Sequence, residues 1–197
     1  MTWTVVQHSV GSLREITKNR LKNRDGRRMT DDATIRLAHG EDPIVALRKA
    51  HKEQLLLCDR LEEIADSLPD SVNRQKCIYA ARALGPMIRG VHRFEEDVVF
   101  PMIAKRLEGN ETITATLDRL RFEHCEDECF SEELTEALHE LGAGADGINI
   151  EATGYMLRGF FEAMRRHIAF ESEHLLSKDV LRATGLGNGA ACRPLHS

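Results

Sequence analysis

Apolar residues recur from position 44 to position 174 at spacings of three and four, the period of a helix with one buried face. The first stripe is Ile44, Leu47, His51, Leu55, Cys58, Leu61 and Ala65, opened by Asp42-Pro43 and closed by Leu68-Pro69-Asp70. Ser71 is the expected cap of the second, which carries Ile78, Ala81, Leu84, Ile88, His92, Glu96, Val99 and Ile103. Gly85-Pro86 falls inside it and predicts a kink or short break, and Phe100-Pro101 predicts a second bend. After Gly109-Asn110 a third stripe runs through Ile113, Leu117, Leu120, His124, Glu128, Leu134 and Leu138. Beyond the Gly142–Gly147 loop, the fourth holds Ala152, Met156, Phe160, Ala163, His167, Glu171 and His174. No long run alternates in the manner of a strand. The pattern therefore predicts an all-α protein, an up-down-up-down antiparallel four-helix bundle over residues 41–182. An N-terminal arm is expected over 1–40 and a loose C-terminal tail over 183–197.

Composition narrows the class. A chain of 197 residues with 42% hydrophobic and 30% charged content can bury one domain's core. A net charge of -5 gives no overall attraction to nucleic acid or to an anionic membrane. The local exception is Lys18, Arg20, Lys22, Arg24, Arg27 and Arg28, read as a solvated basic arm. No apolar run reaches the ~18–20 residues needed to span a bilayer, and the first residues lack the pattern of a signal peptide. Five cysteines without paired spacing suggest a reduced, cytoplasmic protein.

Candidate chemistry lies in a repeated unit. His92/Glu96, His124/Glu128 and His167/Glu171 each place a histidine and a glutamate four apart, on one helical face, and a lone His51 precedes them. In an antiparallel hairpin, residues equidistant from the turn sit at one height. The midpoint of His51 and His92 is near position 71, that of His92 and His124 is 108, and that of His124 and His167 is near 145. All three midpoints fall on helix breakers, so each helix is expected to bring one histidine to a common layer.

Each glutamate lies about 6 Å further along its helix. The second and fourth helices are expected to run the same way, which sets Glu96 and Glu171 on one side of the layer and Glu128 on the other. The expectation is a pair of metals, with His124, Glu128 and His167 on one, His51 and His92 on the other, and Glu96 and Glu171 as bridges. With an oxo or hydroxo bridge, the second metal keeps an open position for a small diatomic or peroxide. Imidazole and carboxylate donors without thiolate suit iron, and also manganese or zinc. Buried carboxylates and imidazoles would be severely destabilising without a cation.

These residues carry a resemblance. His51, the unit His92-x-x-x-Glu96 followed by Val99-Phe100-Pro101, His124, and His167-x-x-x-Glu171 resemble the hemerythrin-like (HHE cation-binding) family of non-haem di-iron four-helix bundles, over residues 42–180. The resemblance implies a carboxylate- and oxo-bridged di-iron centre that meets O2, NO or peroxide, in sensing or detoxification. Two features depart from the oxygen carriers of the family. Glu128 stands where those have a histidine, and Glu171 is four rather than five residues past His167. Both look more like its bacterial and regulatory members, and a third carboxylate favours ferric iron and redox chemistry over reversible oxygen carriage. The related iron-centre repair proteins carry a cysteine in an N-terminal segment, whereas residues 1–40 contain none. A repair or peroxide-decomposing enzyme and a metal-stabilised regulatory interaction module are the competing functions.

Other residues are assigned smaller roles. His174, one turn past Glu171, is expected beside the ligands or at the end of the core, with a ligand role as the alternative. His139 fails the height test and reads as a surface residue. Cys58, Cys125 and Cys129 read as small packing residues, and Phe94, Phe122, Phe160 and Phe170 as core and pocket wall.

Overall fold

A computed structural model of the chain describes residues 35, 41–177 and 182. The expected arm and tail fall outside these apart from Ile35. All regular structure among the described residues is helical, without a strand.

Helix α1 spans Pro43–Ser67, with the Asp42 side chain accepting from the Ile44 backbone N–H at 2.9 Å and Pro43 in the first turn. Helix α2 spans Arg74–Phe94, and its cap is Asn73, not Ser71. A π turn, Glu95–Val99, leads directly into α3, Phe100–Arg106. Helix α4 spans Glu111–Ala143, capped by Asn110 and ended by Gly144, whose φ of 71° is the left-handed conformation that terminates helices. Helix α5 spans Ile150–His174 and starts at Asn149.

Besides its cap, the second stripe differs from expectation at Gly85-Pro86. Helix α2 continues through Gly85 and Pro86 without a break. The departure from α geometry begins nine residues after Pro86, at Glu95 and beside the expected Phe100-Pro101 bend, where the Phe100 N–H bonds the Glu95 carbonyl five residues back. Pro101 follows directly. It supplies no N–H and crowds the preceding turn, conditions under which a wider turn is favoured.

Helix α1 packs on α2 and α5, and α4 packs on α2 and α5, so the principal contacts close a ring of four long helices. The interior contains two apolar clusters. One includes Leu61, Leu84, Leu138 and Phe160, the other Leu47, Phe94, Phe100, Leu120 and Leu175. In every long helix a buried polar residue marks the changeover between them: His51 in α1, His92 in α2, His124 in α4, and His167 with Glu171 in α5. No described helix is long and apolar enough to cross a membrane.

Candidate metal centre

The changeover layer holds two groups of potential ligand atoms. His92, His124 and His167 form one, and His51, Glu95 and Glu171 the other, with the atoms of each group lying within 4.8 Å of one another. All six residues are buried. Five of them were singled out by spacing. Glu95 was not, although it is 1% exposed.

The two glutamates join the groups. Glu95 presents Oε1 to His51 Nε2 at 2.9 Å and Oε2 to His124 Nε2 at 3.3 Å. Glu171 presents Oε2 to His51 Nε2 at 3.2 Å, and Oε1 to His124 Nε2 and His167 Nε2 at 3.9 and 3.7 Å. Each carboxylate thus faces His51 with one oxygen and the three-histidine group with the other.

Glu96 and Glu128, expected among the ligands, lie instead on the outer edges of two rings. Glu96 Oε1 is 2.9 Å from His124 Nδ1, and Glu128 Oε1 is 3.4 Å from His92 Nδ1. The reason for the exchange of Glu95 and Glu96 is local. On an ideal helix, positions i+3 and i+4 flank the face of residue i on either side, so both lie near that of His92. The π turn starts at Glu95, buries it with Val99, and leaves Glu96 behind His124. A change of helical period inside the motif is not legible from spacing. The only sequence signal is the second glutamate itself, beside a downstream Phe-Pro. The expected division of histidines also changes, since His92 groups with His124 and His167 instead of with His51.

His174 is exposed, stacked on Phe170 with ring centroids 4.1 Å apart, and belongs to neither group. His139 is exposed and Cys58 buried, as expected. Phe122, expected in the core, is exposed. Sequence reading also passed over Gln54, 2% exposed one turn past His51, whose Nε2 faces the Met164 sulfur at 3.9 Å.

The electrostatics match a site built to hold positive charge. Burial pushes Glu95 up to about 8, and neighbouring Glu171 adds to the effect. Burial opposes ionisation of Glu171 too, but His124 and His51 outweigh it and hold this carboxyl below the usual range. Burial likewise disfavours charged His51 and His124, yet the adjacent glutamates raise them to about 9 and about 10. His92 is driven down to about 4 by burial, reinforced by His124. The rings of His92 and His124 stack at 3.9 Å with an interplanar angle of 4°.

Hydrogen bonding within the protein leaves this layer unsatisfied. His92 Nε2, His124 Nε2, both ring nitrogens of His167, Glu95 Oε2 and both oxygens of Glu171 are buried without an aligned hydrogen bond. An unsatisfied buried polar group costs about 1–3 kcal/mol, so the convergence of six such atoms on one layer, with His167 Nδ1 turned to α4 instead, is a large penalty. Cations coordinated by those six atoms would remove it. The residues present therefore fit metal binding, through imidazole and carboxylate donors.

Comparison with known proteins agrees. A family model described as the hemerythrin HHE cation binding domain matches residues 42–178. No curated protein and no solved structure gives a match to the chain.

Proposed function

Because this chain belongs to the hemerythrin HHE cation-binding domain family, we propose that it holds two non-haem iron ions and exposes them to O2, NO or peroxide, as a sensor or in detoxification. The observation that carries this reading is the shared placement of Glu95 and Glu171. Each turns one oxygen to His51 and the other to the three-histidine group, as a carboxylate spanning two cations must. On this reading His92, His124 and His167 hold one ion, His51 holds the other, and Glu95 and Glu171 lie between them.

When bound, the iron pair supplies electron transfer and a position for a small external ligand. The protein's own residues decide where that position is. His51 would provide one imidazole where the other group would provide three, so the His51 side would leave more room for an external ligand. Phe94, Phe100 and Leu120 are buried in the apolar cluster that borders the layer, and they keep bulk water from it. Manganese or zinc would fit the same donors.

The reading includes an up-down-up-down order of helices, which the pairing of side chains supports. Positions rise on α1 as they fall on α5: Arg48 with Leu176, Arg165 with Asp59 and Glu62, and Arg158 with Asp66. The same opposition relates α2 to α4, through His92 with Glu128 and Glu96 with His124. It relates α4 to α5 through Arg119 with Phe170 and Phe130 with Phe160. The cysteines at 58, 77, 125 and 129 are free thiols, in keeping with the reducing cytoplasm as the site of action.

Metal analysis with an optical spectrum of aerobically purified protein tests the proposal. Two irons per chain and near-ultraviolet charge-transfer bands are expected. One zinc, or a folded chain that binds no metal, overturns it. Assay of the same preparation with hydrogen peroxide separates binding from turnover.

A further inference from the structure

We infer that Glu123 and Asp127 are positioning residues for His167: they hold the ring hydrogen on Nδ1 and leave Nε2 free to bind a cation. The inference rests on the reading of His167 as a metal ligand. Neither acid belongs to a His-x-x-x-Glu unit.

His167 is 7% exposed, and its two nitrogens face different surroundings. Nε2 looks into the layer, 3.7 Å from Glu171 Oε1. Nδ1 looks outward to α4, where Glu123 Oε2 is 3.4 Å away and Asp127 Oδ2 is 3.7 Å away. A neutral imidazole carries one donor and one acceptor, and an ionised carboxylate only accepts. Glu123, the nearer acid, therefore favours the tautomer with the hydrogen on Nδ1 and the lone pair on Nε2; Asp127, which burial pushes up to about 7, adds a second acceptor once it is ionised. Metal-binding histidines are commonly oriented by such a carboxylate, and its removal weakens metal binding about 10–100-fold.

The outer pair is itself held. Arg119 Nε donates to Glu123 Oε1 at 2.7 Å, one turn back on the same helix, so one oxygen is fixed and the other presented to His167. The Arg119 guanidinium lies over the ring of Phe170, 4.7 Å from its centre. Phe170 stands three residues after His167 on α5, so the chain of contacts starts and ends on one helix. Glu96 behind His124 and Glu128 behind His92 occupy corresponding places. All three histidines of the group thus meet a carboxylate at Nδ1.

The test compares the full-length wild-type chain with E123Q/D127N, and with the single E123Q should the double variant fold poorly. Glu126→Gln, an exposed acid between the two, is the control for a charge change without contact. Anaerobic titration with Co(II), followed by visible absorbance, reads affinity. Nitrogen-15 NMR of the metal-free chain reads the His167 tautomer. The variant should bind Co(II) about 10–100-fold more weakly and show an Nε2–H population at His167, while the control matches wild type. Wild-type affinity and an unchanged Nδ1–H form in the variant overturn the inference. If the wild type itself binds no Co(II), the metal reading fails, and the tautomer still decides the role of the pair.

Discussion

Glu95 and Glu171 divide their carboxylate oxygens in the same way: each approaches His51 Nε2 with one oxygen, at 2.9 and 3.2 Å, and His124 Nε2 with the other, at 3.3 and 3.9 Å. Two acids 76 positions apart in the chain thus serve one pair of histidines. The bridging role proposed for Glu95 would separate it sharply from its neighbour Glu96. Glu95→Gln is expected to lose bound iron, down to one ion per chain or fewer. Glu96→Gln should keep both ions and bind them about 10–100-fold more weakly, as an outer partner does. Metal content after dialysis decides it, and the reverse pattern would restore Glu96 as the ligand.

Metal should stabilise the fold and chelation should weaken it. A cation that binds only the folded chain at a hundred times its Kd adds about 2.7 kcal/mol. For a domain of this size that corresponds to a rise of about 5–11 °C in melting temperature. Calorimetry of chelated and reloaded protein checks this, and equal melting temperatures would contradict it.

That gain should depend on pH, with a fixed sign. In the metal-free chain Glu95 titrates near 8, His51 near 9 and His124 near 10. All three lie above their unfolded values, so protons on these groups stabilise the metal-free fold at low pH. The stability each contributes is fully present below its unfolded pKa and is lost as pH rises through the folded one. A cation needs those protons removed. Metal addition near pH 7 should therefore release protons into a weakly buffered, indicator-containing solution, and affinity should rise from neutrality to about pH 10. Absence of proton release would show that the site is already deprotonated.

The ring of acids bears on redox behaviour. Glu96, Glu128 and Glu123 lie behind the three histidines outside the two buried glutamates, and Asp127, pushed up to about 7 by burial, joins them as it ionises. Negative charge at this range favours the more oxidised metal. Protein reduced anaerobically and then exposed to O2 is expected to oxidise promptly to the ferric spectrum. A long-lived coloured adduct that gives up O2 under vacuum would contradict that.

One prediction concerns the frame. A Cβ at Gly142 would lie 2.6 Å from Ile78 Cγ1 and 3.1 Å from the Arg74 carbonyl oxygen. Gly142 is thus where α4 comes close to α2. Gly142→Ala should destabilise by about 1–3 kcal/mol, read as a lower denaturation midpoint with an unchanged slope. A neutral effect would mean that Ile78 and the α2 backbone yield without strain.

Much of the architecture and of the site is legible in the residues alone. The 3.6-residue period, with Asp42-Pro43 and the breakers at Pro69, Gly109 and Gly144, determines the helices, because burial of one face and the local chemistry of helix ends are properties of short stretches. The breakers also determine that His51, His92, His124 and His167 share a layer, because equal distances from a turn are a matter of counting. What counting cannot reach is which atom of each side chain faces which neighbour. The π turn at Glu95–Val99 put Glu95 instead of Glu96 between His51 and His124, and packing of α4 against α2 and α5 set Glu128, Glu123 and Asp127 behind the rings. Those outcomes depend on a local change of helical period and on inter-helix contacts far apart in sequence. They were decided by the tertiary structure.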